Sequence, residues 1–209
     1  KGFNKEGTDT CSPASGYDSS YLSRINLAEN KIDAVYPVGS VPKVVKVTSD
    51  NKYILVSNWC SYTVTVISVE TQKTVKSIKI GRYPRGISIS SDSKFAYVAE
   101  MGGNRIHRIN LEDFSVNYIL IGSNPRAIEL SPDNSTLYAT LNISGKVIAW
   151  DLATNKAIKT VATGKSARSL AISSDGSALF VVNFRSGTLS KVRTSDMEVI
   201  QNIKVCAEP

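Results

Sequence analysis

Histidine and cysteine are scarce in this chain. Its 209 residues include one histidine, His107, and three cysteines, Cys11, Cys60 and Cys206. The cysteines match no zinc or redox spacing, and an odd count leaves one thiol over if a disulfide forms. No stretch approaches the about 18 uninterrupted apolar residues of a membrane-spanning helix, so no membrane span is expected. No basic-then-apolar leader follows Lys1, which predicts a targeting signal absent or already removed and a natural start upstream. Segments of helical period are missing too. Charge is uneven, 25 Lys and Arg against 18 Asp and Glu for a net +7, but no Lys/Arg run concentrates it.

What the chain does contain is a repeat. Gly39, Gly81, Gly122 and Gly164 follow one another at steps of 42, 41 and 42 residues. Pro42, Pro84 and Pro125 stand in step behind the first three, with Ala167 in the fourth copy. A second marker, Asp50, Asp92, Asp133 and Asp175, keeps the same step in Ser- or Pro-Asp-(Asn/Ser/Gly) contexts. Between markers lie four short strand-like runs; in the copy that opens at Gly81 these are residues 85–90, 95–100, 105–110 and 116–121. The first runs carry paired apolar residues: Val45/Val47, Ile87/Ile89, Ile128/Leu130 and Leu170/Ile172. Asp, Asn, Ser and Gly accept the dihedrals of tight hairpins, so the Asp-centred turns join the first two runs. A four-stranded unit of 40 to 45 residues has the size of a propeller blade. One twisted sheet cannot cover both of its own faces, and radial stacking covers them. A sandwich gives no reason for a fixed step. The expected fold class is therefore all-β, a β-propeller of four-stranded antiparallel blades.

The segments LVSNWCSYTVTVISVETQKTVKSIKIGRYPRGI and YVAEMGGNRIHRINLEDFSVNYILIGSNPRAI resemble the YVTN family of β-propeller repeats, found in prokaryotic surface-layer and secreted proteins. The resemblance covers about residues 20–209, with Glu100 and Leu141 replacing the family's Asn and Ser166-Ala167 its x-Pro pair. It implies a ring of seven blades, about 290 residues at this repeat length, of which this chain holds about four and a half. The expected layout is residues 1–19 as an enlarged loop, 20–38 as the outer half of blade 1, and 39–80, 81–121, 122–163 and 164–205 as blades 2 to 5. Residues 206–209 open the next blade, and missing blades of the same chain complete the ring.

The resemblance further implies that the loops leading into each first strand share a face with those joining second and third strands. On that face the residue after the Pro position is Lys43, Arg85, Arg126 and Arg168, one basic residue per blade. These form either a partial ring of positive charge for an anionic ligand or a set of struts between blades. Asn58, Trp59, Tyr83, Glu100, Met101, Asn142, Asn183, Phe184 and Arg185 join them as candidates to grip a protein or glycan partner, or else to seal the rim. Cys11 and Cys60 fall in loops of adjacent blades on that face, where a disulfide would tie the first loop down and imply an oxidising location, extracellular, cell-surface or periplasmic. Cys206 is expected to be unpaired. The tripeptides at Asn134 and Asn142 match the glycosylation pattern but arise by chance often. Asp9 and Asp18 are weak candidates for Ca²⁺, and no other cofactor or metal is expected.

Three functions follow. The first is a secreted or cell-surface, non-catalytic binding or interaction scaffold, a fragment of a longer chain. The second is a propeller enzyme such as a lactonase, built on Glu100, Asn58 and Arg126. No Ser-His-Asp set can be drawn around the channel, and His107 lies in a third strand toward the rim, where a packing role is expected rather than metal or haem ligation. The third is nucleic-acid or polyanion binding through the basic face, whose mark is a steep salt dependence.

Overall fold

The computed structural model describes Cys11 and residues 20–209. The first-loop expectation and the candidate ligands Asp9 and Asp18 therefore lie outside the described residues. Strands β1 (Ser20–Asn26) and β2 (Lys31–Val38) form a hairpin. Four four-stranded antiparallel meanders follow. Blade 2 is β3 (Pro42–Val47), β4 (Tyr53–Asn58), β5 (Thr63–Ser68) and β6 (Thr74–Lys79). Blade 3 is β7 (Pro84–Ile89), β8 (Phe95–Glu100), β9 (Arg105–Asn110) and β10 (Val116–Leu120). Blade 4 is β11 (Pro125–Leu130), β12 (Thr136–Leu141), β13 (Lys146–Asp151) and β14 (Lys156–Ala162). Blade 5 is β15 (Ala167–Ile172), β16 (Ala178–Asn183), β17 (Thr188–Arg193) and β18 (Glu198–Lys204).

The apolar clusters lie between blades. Leu55, Val64 and Val66 of blade 2 pack with Ile87, Val98 and Ile109 of blade 3. Ala99 and Ile106 of blade 3 pack with Ile128, Leu137 and Leu141 of blade 4. Tyr138 and Val147 of blade 4 pack with Leu170, Leu179 and Val192 of blade 5. Each fully buried aliphatic side chain stabilises the stack by about 1.5–3 kcal/mol. The first strands β3, β7, β11 and β15 lie side by side in that order. Ile87 and Ile128 are buried as their alternation predicts, but Val45 and Val47 are 47% and 50% exposed. Their face of β3 lies on the side of blade 1, where the described residues supply only the β1–β2 hairpin.

The repeated Asp closes each first hairpin. Asp50, Asp92, Asp133 and Asp175 each accept, through Oδ1, the backbone N–H two residues on, at 3.0 Å. The residue after each Asp is left-handed: Asn51, Ser93, Asn134 and Gly176, with φ from 57° to 73°. Ser131 and Ser173 donate to Asp133 and Asp175 at 2.5 Å. These hydroxyls, with the backbone amides, hold both carboxyls at about 2, below the ordinary 3.8. A carboxyl depressed in the folded state favours folding fully above 3.8, and that contribution is lost as pH falls toward 2. Acid titration of stability should therefore show a descending limb between pH 4 and 2 in the wild type. Asp133→Asn with Asp175→Asn should make it shallower, the other depressed carboxyls keeping part of it; identical limbs in both proteins would contradict the assignment.

Candidate functional site

Each of blades 2 to 5 begins with the same strained turn. Val41, Tyr83, Asn124 and Ser166, which precede the Pro position, have φ of 56°, 59°, 57° and 57°. Left-handed backbone is costly for a branched residue such as Val41, on the order of 1–3 kcal/mol. Each of these residues accepts a backbone hydrogen bond from the first residue after the second strand. Trp59 donates to Val41 and Met101 to Tyr83, at 3.0 and 3.1 Å; Asn142 donates to Asn124 and Phe184 to Ser166, both at 3.0 Å. The turn thus clamps the two loop families together, and this brings candidate residues distant in sequence onto one face.

The basic residues owe their positions to a second device. The register of each first strand slips between Pro42 and Val44, Pro84 and Ile87, Pro125 and Ile128, and Ala167 and Ser169. Lys43, Arg85, Arg126 and Arg168 sit inside these β-bulges, which re-aim a side chain off the regular alternation. Hydroxyls of the second strand satisfy amides that the bulge releases: Ser57 accepts from Val44 N–H at 3.2 Å, and Thr140 from Ala127 N–H at 2.9 Å.

A cleft of about 430 Å³ opens where these loops meet, lined by Trp59, Arg82, Tyr83, Arg85, Met101, Gly102, Asn124, Arg126, Asn142 and Arg168. Trp59 stacks on Tyr83 at 4.7 Å between ring centres, and Tyr62 meets Tyr83 edge-on at 5.7 Å. Arg85 and Lys43 reach to 5.3 and 5.5 Å from the Trp59 ring centre, and Arg82 to 5.2 Å from that of Tyr83. Arg168 lies 3.8 Å over Phe184. Lys43, Arg85, Arg126, Arg168 and Arg185 all have interaction partners within the protein. Deeper along the first strands, a hollow of about 230 Å³ adds Lys46 and Glu129 to Arg85, Arg126 and Arg168. Burial holds the Glu129 carboxyl above its ordinary value, with Lys46 pulling the other way.

Three sequence candidates lie beneath the face instead of on it. A Cβ on Gly39 would meet Asn58 at 2.7 Å, one on Gly81 would meet Glu100 at 2.5 Å, and one on Gly164 would meet Asn183 at 2.8 Å. The repeated glycine is the gap into which the last side chain of the second strand fits. Asn58 donates to Thr63 and Thr65 at 3.1 and 2.9 Å, and Asn183 to Thr188 and Ser190 at 3.1 and 2.8 Å. In blade 3 the same positions hold an acid and a base: Glu100 Oε2 lies 2.9 Å from His107 Nε2, and Oε1 accepts Arg82 N–H at 3.2 Å. In blade 4 they are Leu141 and Ile148, both buried. His107 is thus a buried partner of Glu100. Asn183 Oδ1 accepts from Thr163 at 2.8 Å, whereas Asn58 Oδ1, with Val38 at the corresponding position, has no hydrogen-bond partner among the described residues. Arg82, Asn124 and Glu129 were missed by sequence reasoning; the step from the repeated glycine would have found Arg82 and Asn124.

Cys11 and Cys60 form a disulfide, and Cys206 is free and exposed. Cys60 follows Trp59, so the bridge sits beside the cleft. Among the described residues no helix is long and apolar enough to cross a membrane.

The meanders and their radial stacking define a β-propeller, here about four and a half blades. The profile of the YNCE-like β-propeller family matches residues 13–94. Antigen Lp49 of Leptospira interrogans serogroup Icterohaemorrhagiae serovar copenhageni is 29% identical over 134 residues, covering 60% of this chain. The chain spans 29% of that relative's length. Kuenenia stuttgartiensis hydrazine synthase superposes with a TM-score of 0.74 at 20% identity, over 82% of this chain and 51% of that one. The Cps50 (Swd1) β-propeller domain of Myceliophteria thermophila gives 0.69 at 14%, over 80% and 56%. Both structural likenesses concern the fold alone.

Cross-linking Cys11 to Cys60 restricts the unfolded chain across a separation of 49 residues. Cys60→Ser should cost about 2–4 kcal/mol in urea unfolding. Thiol titration of the denatured, unreduced protein should count one thiol; three would contradict the pairing.

Proposed function

We propose that the chain is part of a secreted or cell-surface propeller of the YVTN type that acts as a non-catalytic binding scaffold, with the basic–aromatic cleft as its binding face. The observation that carries this reading is the cleft wall itself. Four arginines, two aromatic rings and two amides converge there, and none of its lining residues is acidic. Such a surface focuses positive potential and offers planar, bidentate donors, which suits an anionic group on a protein or glycan partner. The Cys11–Cys60 disulfide beside the cleft favours an oxidising compartment. The antigen relative supports surface exposure. A ring completed by further blades of the same protein would cover the exposed Val45 and Val47.

A lactonase-like site finds less support. Asn58 and Glu100 are held under Gly39 and Gly81 by neighbouring hydroxyls, His107 and a backbone amide, so the set with Arg126 does not converge in the cleft.

The test uses dextran sulfate and inorganic phosphate as probes at two salt concentrations. Arg85→Gln with Arg168→Gln should weaken dextran sulfate binding by roughly tenfold or more and reduce its salt dependence. Arg126 is left intact because it is 7% exposed and its loss would disturb packing. Unchanged affinity with a lowered melting temperature would make these arginines struts and overturn the reading.

A further inference from the structure

A second sizeable hollow among the described residues lies away from the basic cleft. It measures about 540 Å³ and lies between blades 3 and 4, at the end that carries the Asp turns. The neighbouring inter-blade spaces show why it is open. The turn joining the third and fourth strands of each blade carries one left-handed residue, Gln72, Phe114, Asn155 and Met197 in blades 2 to 5. Between blades 2 and 3, Phe114 packs edge-on against Tyr53 of blade 2, 5.5 Å between ring centres at 67°. Between blades 4 and 5, Met197 is 2% exposed and belongs to the same apolar cluster as Tyr138 and Leu179. A more open hollow of about 410 Å³ remains there, walled largely by hydroxyls, Asp133 and Asp175.

Between blades 3 and 4 the corresponding residue is Asn155. It does not fill the gap: it is exposed and accepts a hydrogen bond from the Trp150 indole at 3.2 Å. Phe95, at the position of Tyr53 in its blade, is left without the side chain that Phe114 provides for Tyr53. The hollow is walled by Phe95, Tyr97, Tyr118 and Leu152, with Ser90, Asp92 and Asn134 of the first hairpins as its polar lining. Arg108 lies 3.7 Å over Phe95, and Tyr118 is 56% exposed. Asn117 and Ser135 edge it with groups able to bond an incoming backbone.

We infer that this gap is a docking site for a partner polypeptide, which inserts one aromatic or methionine side chain where blades 3 and 5 use their own Phe114 and Met197. The neighbouring blades show the chemistry of the occupant, because the corresponding turn residue there packs an apolar side chain against the adjacent blade. An aromatic anchor in a pocket with a polar rim is the usual form of a binding hot spot. The site is separate from the basic cleft and does not depend on its function.

The test is amide NMR with N-acetylphenylalaninamide as probe and N-acetylalaninamide and cellobiose as controls. The phenylalanine probe should shift the amides of Asn117, Ser135 and Ala153, with saturation in the ~1 mM range, and the alanine probe should not. Asn155→Phe should fill the gap from within, abolish those shifts and raise the melting temperature. Asn117→Trp, at an exposed strand position that tolerates a large ring, should block the site independently if Asn155→Phe fails to fold. No shifts with the phenylalanine probe, shifts that persist in either folded variant, or shifts produced by cellobiose alone would overturn the assignment; the last would make the gap a saccharide site.

Discussion

Face-to-face stacking of twisted sheets is the interaction on which everything else in this molecule rests. A four-stranded meander with side chains on both faces has no interior of its own, and burial begins only when a neighbour lies against it. The strands that show this best are the innermost. In β7 and β11, flanked on both sides, Ile87 and Ile128 are almost fully buried, while β3, less covered, leaves Val45 and Val47 half exposed. The glycine before each blade serves the same packing from above, since it lets the end of the second strand tuck under the inlet turn. Asn58, Glu100, Leu141 and Asn183 are four chemical solutions to that one buried position, each with a matched partner on the third strand or the turn.

The binding face is a consequence of how the stack is started. A left-handed residue before the proline and a bulge after it are both unfavourable for an isolated strand. Together they turn Arg85, Arg126 and Arg168 toward the cleft and tie Trp59, Met101, Asn142 and Phe184 to the inlet turns. The strain is located at the face that varies from blade to blade, while the Asp turns at the opposite end hold nearly the same hydrogen bonds in every copy.

Much of this was legible in the residues. The glycine and aspartate steps gave the blade count, the runs read in the copy from Gly81 match β7 to β10 within a residue, and Cys11 was placed correctly against Cys60. What stayed hidden depended on the inlet turns and on register. Whether Glu100 faces the cleft or turns under Gly81 depends on how the inlet turn folds over the end of β8, and no composition or period reports that. The pairing of Glu100 with His107 is likewise invisible until β8 and β9 are aligned. The gap at Asn155 was readable in principle, since it needs only the comparison of Gln72, Phe114, Asn155 and Met197. It was missed because turn residues read as solvent-facing until the neighbouring blade is in place.

Native-state hydrogen exchange measures the stacking most directly. If the sheets hold one another up, the buried amides of β8, β9, β12 and β13, which belong to blades covered on both sides, should open together with one common and largest free energy. Those of the β1–β2 hairpin should exchange far faster. Four sheets that opened independently, each with its own free energy, or a hairpin as protected as blades 3 and 4, would contradict the account.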